Sequence, residues 1–371
     1  MDLPVIPVFR PSLLCSAGHP RLDETLSSSW WGTGAMVIEF EKRFAEYVGV
    51  EAERCLMLNS CTSALHLAVL LYPKARRFLV PGITFVSTAL APLYAGKSVV
   101  FVEVGDDLCI DQDDALNKMV DGDVVIAVHM GGMAADLTRL RGRCSIIEDA
   151  AHALGTYHIE RHVGTVETGC FSFQATKMLP IGDGGMLIMP EGANRQRLAA
   201  LAWCGIEGTT WDRTSSSYKW QYQINESGFK YRANDLQAAL ALDQWSELHR
   251  ALAEKRLIAD NYRVGLDDLD WLVLPKVRLP SSPSWQEFII RTPYRDRLHD
   301  HLEELGVSTT VHYTPINQYK PFWGVDEGLA SPQSLPRTEA LATQILTIPS
   351  YVGMTDEEQG RVIDGVRSFK P

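Results

Sequence analysis

The sequence predicts an α/β protein, with a large α/β domain carrying a mainly parallel sheet over residues 1–250 and a smaller α+β domain over residues 251–371. Short apolar runs alternate with helical patterns through the first half of the chain, which is the pattern of parallel strands joined by crossover helices. A long helical stretch rich in Ala, Leu and Gln occupies residues 235–255. After a proline-rich passage at 272–283, a new strand-and-helix pattern begins. The length of 371 residues accommodates two such units and a core that needs no disulfide or metal staple.

Residues 39–48 read as an amphipathic helix, with Phe40, Phe44 and Val48 at i, i+4 and i+8. A strand follows at 54–58, then a polar break, Asn59-Ser60-Cys61-Thr62, and an apolar helix at 63–72. Further strands are expected at 77–80, 98–103, 124–129 and 144–148, and later ones at 170–173 and 185–189. From Asn194 the pattern turns helical. The C-terminal part predicts a strand at 285–292, a helix at 294–305, a strand at 308–313 and a final helix at 355–369. Residues 205–222, polar with a Thr/Ser-rich centre, read as a loop near a site. The first fifteen residues or so are expected to pack on the small domain.

Composition removes several function classes. The formal net charge is −11 and no long basic run exists, which argues against a nucleic-acid partner. The cysteines, Cys15, Cys55, Cys61, Cys109, Cys144, Cys170 and Cys204, are odd in number and form no CxxC pair. They read as free thiols in a reducing compartment, so the expected location is cytoplasmic. Residues 1–11 carry prolines and no apolar core, unlike a signal peptide, and no apolar stretch is long enough for a membrane span.

Four stretches carry chemistry. In Asn59-Ser60-Cys61-Thr62-Ser63 a strand runs through small polar residues into a helix. Free amides and hydroxyls there can cradle a phosphate, although Ser and Thr are also ordinary helix caps. Residues 81–88 follow another strand, and Phe85 within them can stack on a flat ring or serve as a core aromatic. Glu148-Asp149 ends an apolar strand, three residues before His152. A carboxylate there can hold a pyridinium nitrogen protonated, cap a helix or bind a metal. Ser172 and Lys177 lie just past a further strand, before the turn Gly182-Asp183-Gly184-Gly185. A partly desolvated lysine has a lowered pKa and attacks carbonyls, whereas most lysines are surface groups.

Each signal is weak alone; their order is informative. Phosphate cradle, stacking aromatic, buried carboxylate, second hydroxyl and lysine occur in one chain, each at a strand end. That set suits pyridoxal 5'-phosphate.

With these residues the chain resembles the DegT/DnrJ/EryC1/StrS family of nucleotide-sugar aminotransferases, of the fold-type I, aspartate aminotransferase-like class. The resemblance also covers Trp31-Gly32-Thr33-Gly34, Gly228-Phe229-Lys230-Tyr231-Arg232, His312-Tyr313-Thr314-Pro315 and Leu346-Thr347-Ile348-Pro349. It implies a seven-stranded, mainly parallel sheet between helices. It also implies that Lys177 holds pyridoxal 5'-phosphate as a Schiff base and shuttles a proton, and that Asp149 pairs with the ring nitrogen. Phe85 stacks on the ring, His152 lies beside it, and Thr62, Ser63 and Ser172 bind the phosphate. Lys230 stands where many relatives carry Asn, at a position that reaches the phosphate from the neighbouring subunit of a homodimer. Cys61 and Asp183 stand where Gly and Glu are common. His312, Tyr313 and Trp211 are the candidates for substrate contact. The implied reaction is ping-pong, from L-glutamate to a keto group of a nucleotide-linked deoxy sugar.

Family members that dehydrate sugars carry His at the lysine position, so Lys177 favours transamination. The rival readings are amination of a keto-cyclitol or free keto-sugar, and a non-catalytic regulatory relative that binds the cofactor. His158 and His162 are spaced i, i+4, but Ile159 stands where a zincin needs Glu, so a turn between strands is expected and no metal. Residues 182–185 lack the spacing of a dinucleotide-binding loop.

Overall fold

The computed structural model describes residues 4–11, 13–15, 18–207, 222–323 and 333–371. The first half runs α1 Pro20–Ser27, α2 Ala35–Val48, β1 Cys55–Leu58, α3 Cys61–Val69, β2 Arg77–Pro81, α4 Ser87–Tyr94, β3 Ser98–Val102, α5 Gln112–Lys118, β4 Val124–Val128 and β5 Ser145–Asp149. Then come β6 Tyr157–His158, β7 Arg161–His162, β8 Thr168–Ser172, β9 Gly185–Ile188, α6 Arg195–Leu201, α7 Asp235–Trp245 and α8 Leu248–Leu266. The last part is β10 Ser281–Ser282, β11 Phe288–Arg291, α9 Arg295–Glu304, α10 Pro336–Ala342, β12 Ile345–Ile348 and α11 Asp356–Ser368.

Seven strands form one sheet in the order β1-β9-β8-β5-β4-β2-β3. The strands from β8 to β3 pair in parallel, and β9 alone runs against its neighbours β1 and β8. The other six strands therefore end at one edge, where open α/β sheets bind ligands. Helices cover both faces, so β4 is buried at every position. On one face Phe40 and Phe44 of α2 meet Phe173 and Phe171 edge-on, at centroid distances of 5.3 and 5.1 Å. On the other face Leu65 of α3 and Ala89 of α4 pack over Phe78, Phe101 and Leu187. This is the α/β architecture the sequence predicts.

A second core gathers α8, α9 and α11 around the antiparallel pair β11–β12. Ile6 joins it, bonded on both sides of Val307: its amide donates to Gly306 O at 2.8 Å and its carbonyl accepts from Ser308 N at 2.9 Å.

Three element expectations need correction. The helix expected at 235–255 is two helices, broken at Ser246 and Glu247. An apolar pattern continues across the break, so periodicity does not reveal it. The turn lets α8 pack Leu248 and Leu252 into the first core and Ile258 and Tyr262 into the second. The strand expected at 285–292 starts only at Phe288, because Trp285 adopts a left-handed backbone, φ 55°. No strand forms at 308–313; one isolated bridge joins Thr310 to Thr347 of β12, and β12 takes the place beside β11. His158 and His162 lie in the hairpin β6–β7, whose turn residues Ile159 and Glu160 both have positive φ.

Candidate active site

A cavity of about 400 Å³ opens at the shared strand edge. Asp149 ends β5, Ser172 ends β8, and the turn Ser60-Cys61-Thr62 follows β1. Phe85 lies on the loop after β2, and Lys177 five residues past β8. Small residues let the pieces converge. Gly185 of β9 runs beneath the turn so closely that a Cβ there would lie 2.4 Å from the carbonyl carbon of Ser60 and 2.5 Å from the Cys61 nitrogen.

Ser60 caps α3 by accepting from the Ser63 amide at 3.1 Å. Among the described residues nothing accepts the amides of Cys61 and Thr62, the first two of the helix. Both residues line the cavity together with Ser172, and the Thr62 hydroxyl is 2.7 Å from that of Ser87. Free amides at a helix N-terminus with hydroxyls around them form an anion cradle.

Asp149 is buried. One carboxylate oxygen accepts the Thr88 hydroxyl at 2.8 Å and the other the Ala151 amide at 3.2 Å. Burial raises its pKa, and the Thr88 bond works against that rise. Burial likewise weakens the Lys177 ammonium, opposed first among charges by Glu287, with Asp149 also contributing. The lysine turn is tied down at several points. The Lys177 amide donates to Gln174 O at 2.8 Å, and the Thr176 amide to the Gln174 side chain at 2.8 Å. Gln286 reaches across to the Thr176 carbonyl at 2.8 Å.

His152 is held by the Gly131 amide, which donates to Nδ1 at 3.3 Å. The ring proton therefore sits on Nε2, facing the Tyr313 hydroxyl at 3.3 Å. Burial lowers the His152 pKa to about 3, so the ring is neutral. His312 Nδ1 lies 2.9 Å from the Thr347 hydroxyl, and burial lowers its pKa too.

The structure thus brings Thr62, Phe85, Asp149, His152, Ser172, Lys177, His312 and Tyr313 to one cavity. Ser63 does not line it: its hydroxyl donates back to Asn59 at 2.6 Å, inside the cap. Lys230 is exposed and lies outside this cavity, its ammonium 3.4 Å from the ring centroid of Trp203. Trp211 falls outside the described residues. Sequence reasoning missed Thr88, Gln174 and Glu287. Thr88 stood within the stretch singled out at 81–88; Glu287, one acid beside Gln286 ahead of an apolar run, gave no signal.

An anion cradle, an enclosed lysine and a buried carboxylate form a donor set that fits a phosphate ester with a basic ring nitrogen. Such a cavity at this edge of this sheet defines the fold-type I enzymes that use pyridoxal 5'-phosphate. Residues 16–367 match the DegT/DnrJ/EryC1/StrS aminotransferase family, and the chain belongs to it. Pyridoxal 5'-phosphate is the cofactor of that family.

The chain is 29% identical to SpsC, a spore coat polysaccharide biosynthesis protein of Bacillus subtilis, covering 94% of this chain and 93% of SpsC. It superposes on the crystal structure of the aminotransferase TlmJ from Streptoalloteichus hindustanus with a TM-score of 0.89 and 29% identity over 98% of each chain. AtS13 from Actinomadura melliaura gives a TM-score of 0.90 at 26% identity, covering both chains in full.

Proposed function

We propose that this aminotransferase moves the amino group of L-glutamate to a keto group of a nucleotide-linked deoxy sugar. The observation that carries the reading is the convergence of Lys177, Asp149 and the free amides of Cys61 and Thr62 on one cavity. The likeness to SpsC supports a sugar acceptor.

When bound, pyridoxal 5'-phosphate supplies a protonated ring that draws electrons from the carbon bearing the nitrogen. Asp149 would keep the proton on the ring nitrogen, and Phe85 would cover the ring. The amides of Cys61 and Thr62, with the hydroxyls of Thr62 and Ser172, would hold the phosphate. Lys177 Nζ, its basicity reduced by burial, would move a proton from the donor carbon to the cofactor carbon in the first half-reaction and from the cofactor carbon to the acceptor carbon in the second. His152 stays neutral and orients its Nε2 proton toward Tyr313. His312 and Tyr313 line the side on which substrate enters.

The proposed assembly is a homodimer in which Lys230 of each chain reaches the phosphate of the other site. The proposed border between large and small domains lies near residue 250; the passage of α8 from Leu248 and Leu252, packed with Phe40 and Phe44, to Ile258 and Tyr262, packed with Phe288, supports it.

The test is direct. Borohydride reduction of the loaded protein should fix the cofactor on Lys177, as read by peptide mass. L-glutamate should yield 2-oxoglutarate in a first half-reaction, and a nucleotide-linked keto sugar should then accept nitrogen. A protein that takes up no pyridoxal 5'-phosphate, or forms no 2-oxoglutarate from L-glutamate, overturns the reading.

A further inference from the structure

Glu287 is buried in the wall of the cavity, immediately before the first residue of β11. The left-handed turn at Trp285 sets the approach to β11, and the Glu287 amide is tied to Gly131 O at 3.2 Å. Its carboxylate is not paired in the usual way. One oxygen is 3.6 Å from His152 Nε2 and the other 3.5 Å from His312 Nδ1, and the latter oxygen is buried with no hydrogen-bond partner. A buried acceptor left unsatisfied is destabilising, more so when charged. A carboxylate kept only for the fold would be expected to carry its donors.

The groups facing it come from every neighbouring element. His152 follows β5, Lys177 follows β8, Lys255 projects from α8, and His312 and Tyr313 come from the loop after α9. On its far side Glu287 lines a second cleft, where Arg278 and Arg291 are already paired with aspartates. Both histidines are held neutral by burial. The Lys255 ammonium is committed to Gln286 O, Ser350 O and the Ser350 hydroxyl. Lys177 is then the cation in the cavity whose protons are free for Glu287. No arginine lines the cavity among the described residues.

We propose that Glu287 is the positioning anion of this site: its carboxylate compensates positive charge on the Lys177 nitrogen and on the nitrogen that passes from donor to acceptor. That nitrogen must be protonated to activate its carbon and neutral to attack a carbonyl, so a fixed negative charge nearby sets the balance. The same carboxylate favours a cationic or hydroxyl-bearing ligand over a second anion at that wall.

The inference rests on the proposed function, since it assumes that Lys177 holds the cofactor. The test follows the visible absorbance of the pyridoxal 5'-phosphate-loaded protein against pH. Glu287→Gln keeps the shape and removes the charge, and should move the titration midpoint down by roughly one unit or more. Glu287→Asp keeps the charge and should stay closer to wild type. A midpoint unchanged in Glu287→Gln overturns the proposal. Should that variant not hold the cofactor, Glu287→Ala decides: a lowered midpoint supports the role and an unmoved one overturns it. Wild-type protein without any visible band sinks the proposed function itself, which separates the two failures.

Discussion

The hydroxyl of Thr88 donates to the carboxylate of Asp149 at 2.8 Å, and the Thr84 hydroxyl stands 2.7 Å behind it. Three side chains, from the loop after β2, the first turn of α4 and the end of β5, thus form one buried chain. The bond stabilises the ionised form of a carboxyl that burial pushes toward neutrality. Thr88→Val removes the donor and keeps the volume. The Asp149 pKa should then rise further, so the acid limb of the pH–activity profile should move to higher pH. Loss of a hydrogen bond to a charged group is worth about 1.5–3 kcal/mol, so cofactor affinity or kcat should drop roughly tenfold or more. Thr88→Ser should stay near wild type. An unmoved acid limb in Thr88→Val would show that Asp149 does not depend on this bond.

Lys177 is read as both anchor and proton carrier. Lys177→Ala should still bind pyridoxal 5'-phosphate through the cradle and Asp149, with the absorbance of the free cofactor. Its transamination should fall by roughly a thousandfold or more, within the range expected for losing an acid–base group. Single-turnover assays with L-glutamate check this. Residual activity within tenfold of wild type would remove Lys177 from the reaction.

Much of this site was legible because strand ends announce themselves. Apolar runs stop at Leu58, Asp149 and Ser172, and the residue types that follow each stop are chemical ones. The sheet was legible for the same reason, since residues 124–128 are apolar throughout and read as a buried strand. What stayed hidden depends on tertiary context. The break at Ser246 leaves the helical period intact, and only the two cores on either side explain it. Ser63 matches a phosphate-binding pattern, yet its hydroxyl closes the cap through Asn59. Glu287 acquires its role from three distant segments, which no local pattern encodes.

Two buried histidines should make the fold acid-sensitive. Burial lowers the pKa of His152 to about 3 and of His162 to about 4, from the ordinary 6.5. Both are neutral when folded and protonate when unfolded below 6.5. The unfolded chain therefore binds more protons, and stability falls as pH drops from 6.5 toward the folded values. Each contributes a loss of about 1.4 kcal/mol per pH unit in that window. His162 lies outside the cavity, with Nε2 accepting the Gly155 amide at 2.8 Å and Nδ1 2.7 Å from Val163 O. His162→Gln should lower stability at neutral pH through those lost bonds, yet flatten the decline between neutral pH and pH ~5. Chemical denaturation at both pH values measures the slope, and an unchanged slope would assign the acid sensitivity elsewhere.

The cradle is bounded from below by backbone, and this gives the sharpest test of how it is held. Gly185 pairs with Leu58 of β1 on one side and Ser172 of β8 on the other. Directly above lies the Ser60–Cys61 peptide, at distances that leave no room for a methyl group. Gly185→Ala must therefore push the turn that carries the two free amides away from β9 or distort the strand. Backbone and overpacked cores yield little, and such insertions typically cost about 1–3 kcal/mol. The thermal midpoint should fall accordingly. The informative part is where the strain goes. If the turn moves, the Cys61 and Thr62 amides lose their aim, and affinity for pyridoxal 5'-phosphate should drop more than affinity for pyridoxal, which lacks the phosphate. If the strand distorts instead, both affinities should fall together, because Ser172 and Asp149 share that sheet. Equal affinity for the phosphate ester in Gly185→Ala and wild type would mean that the cradle is not formed at this turn.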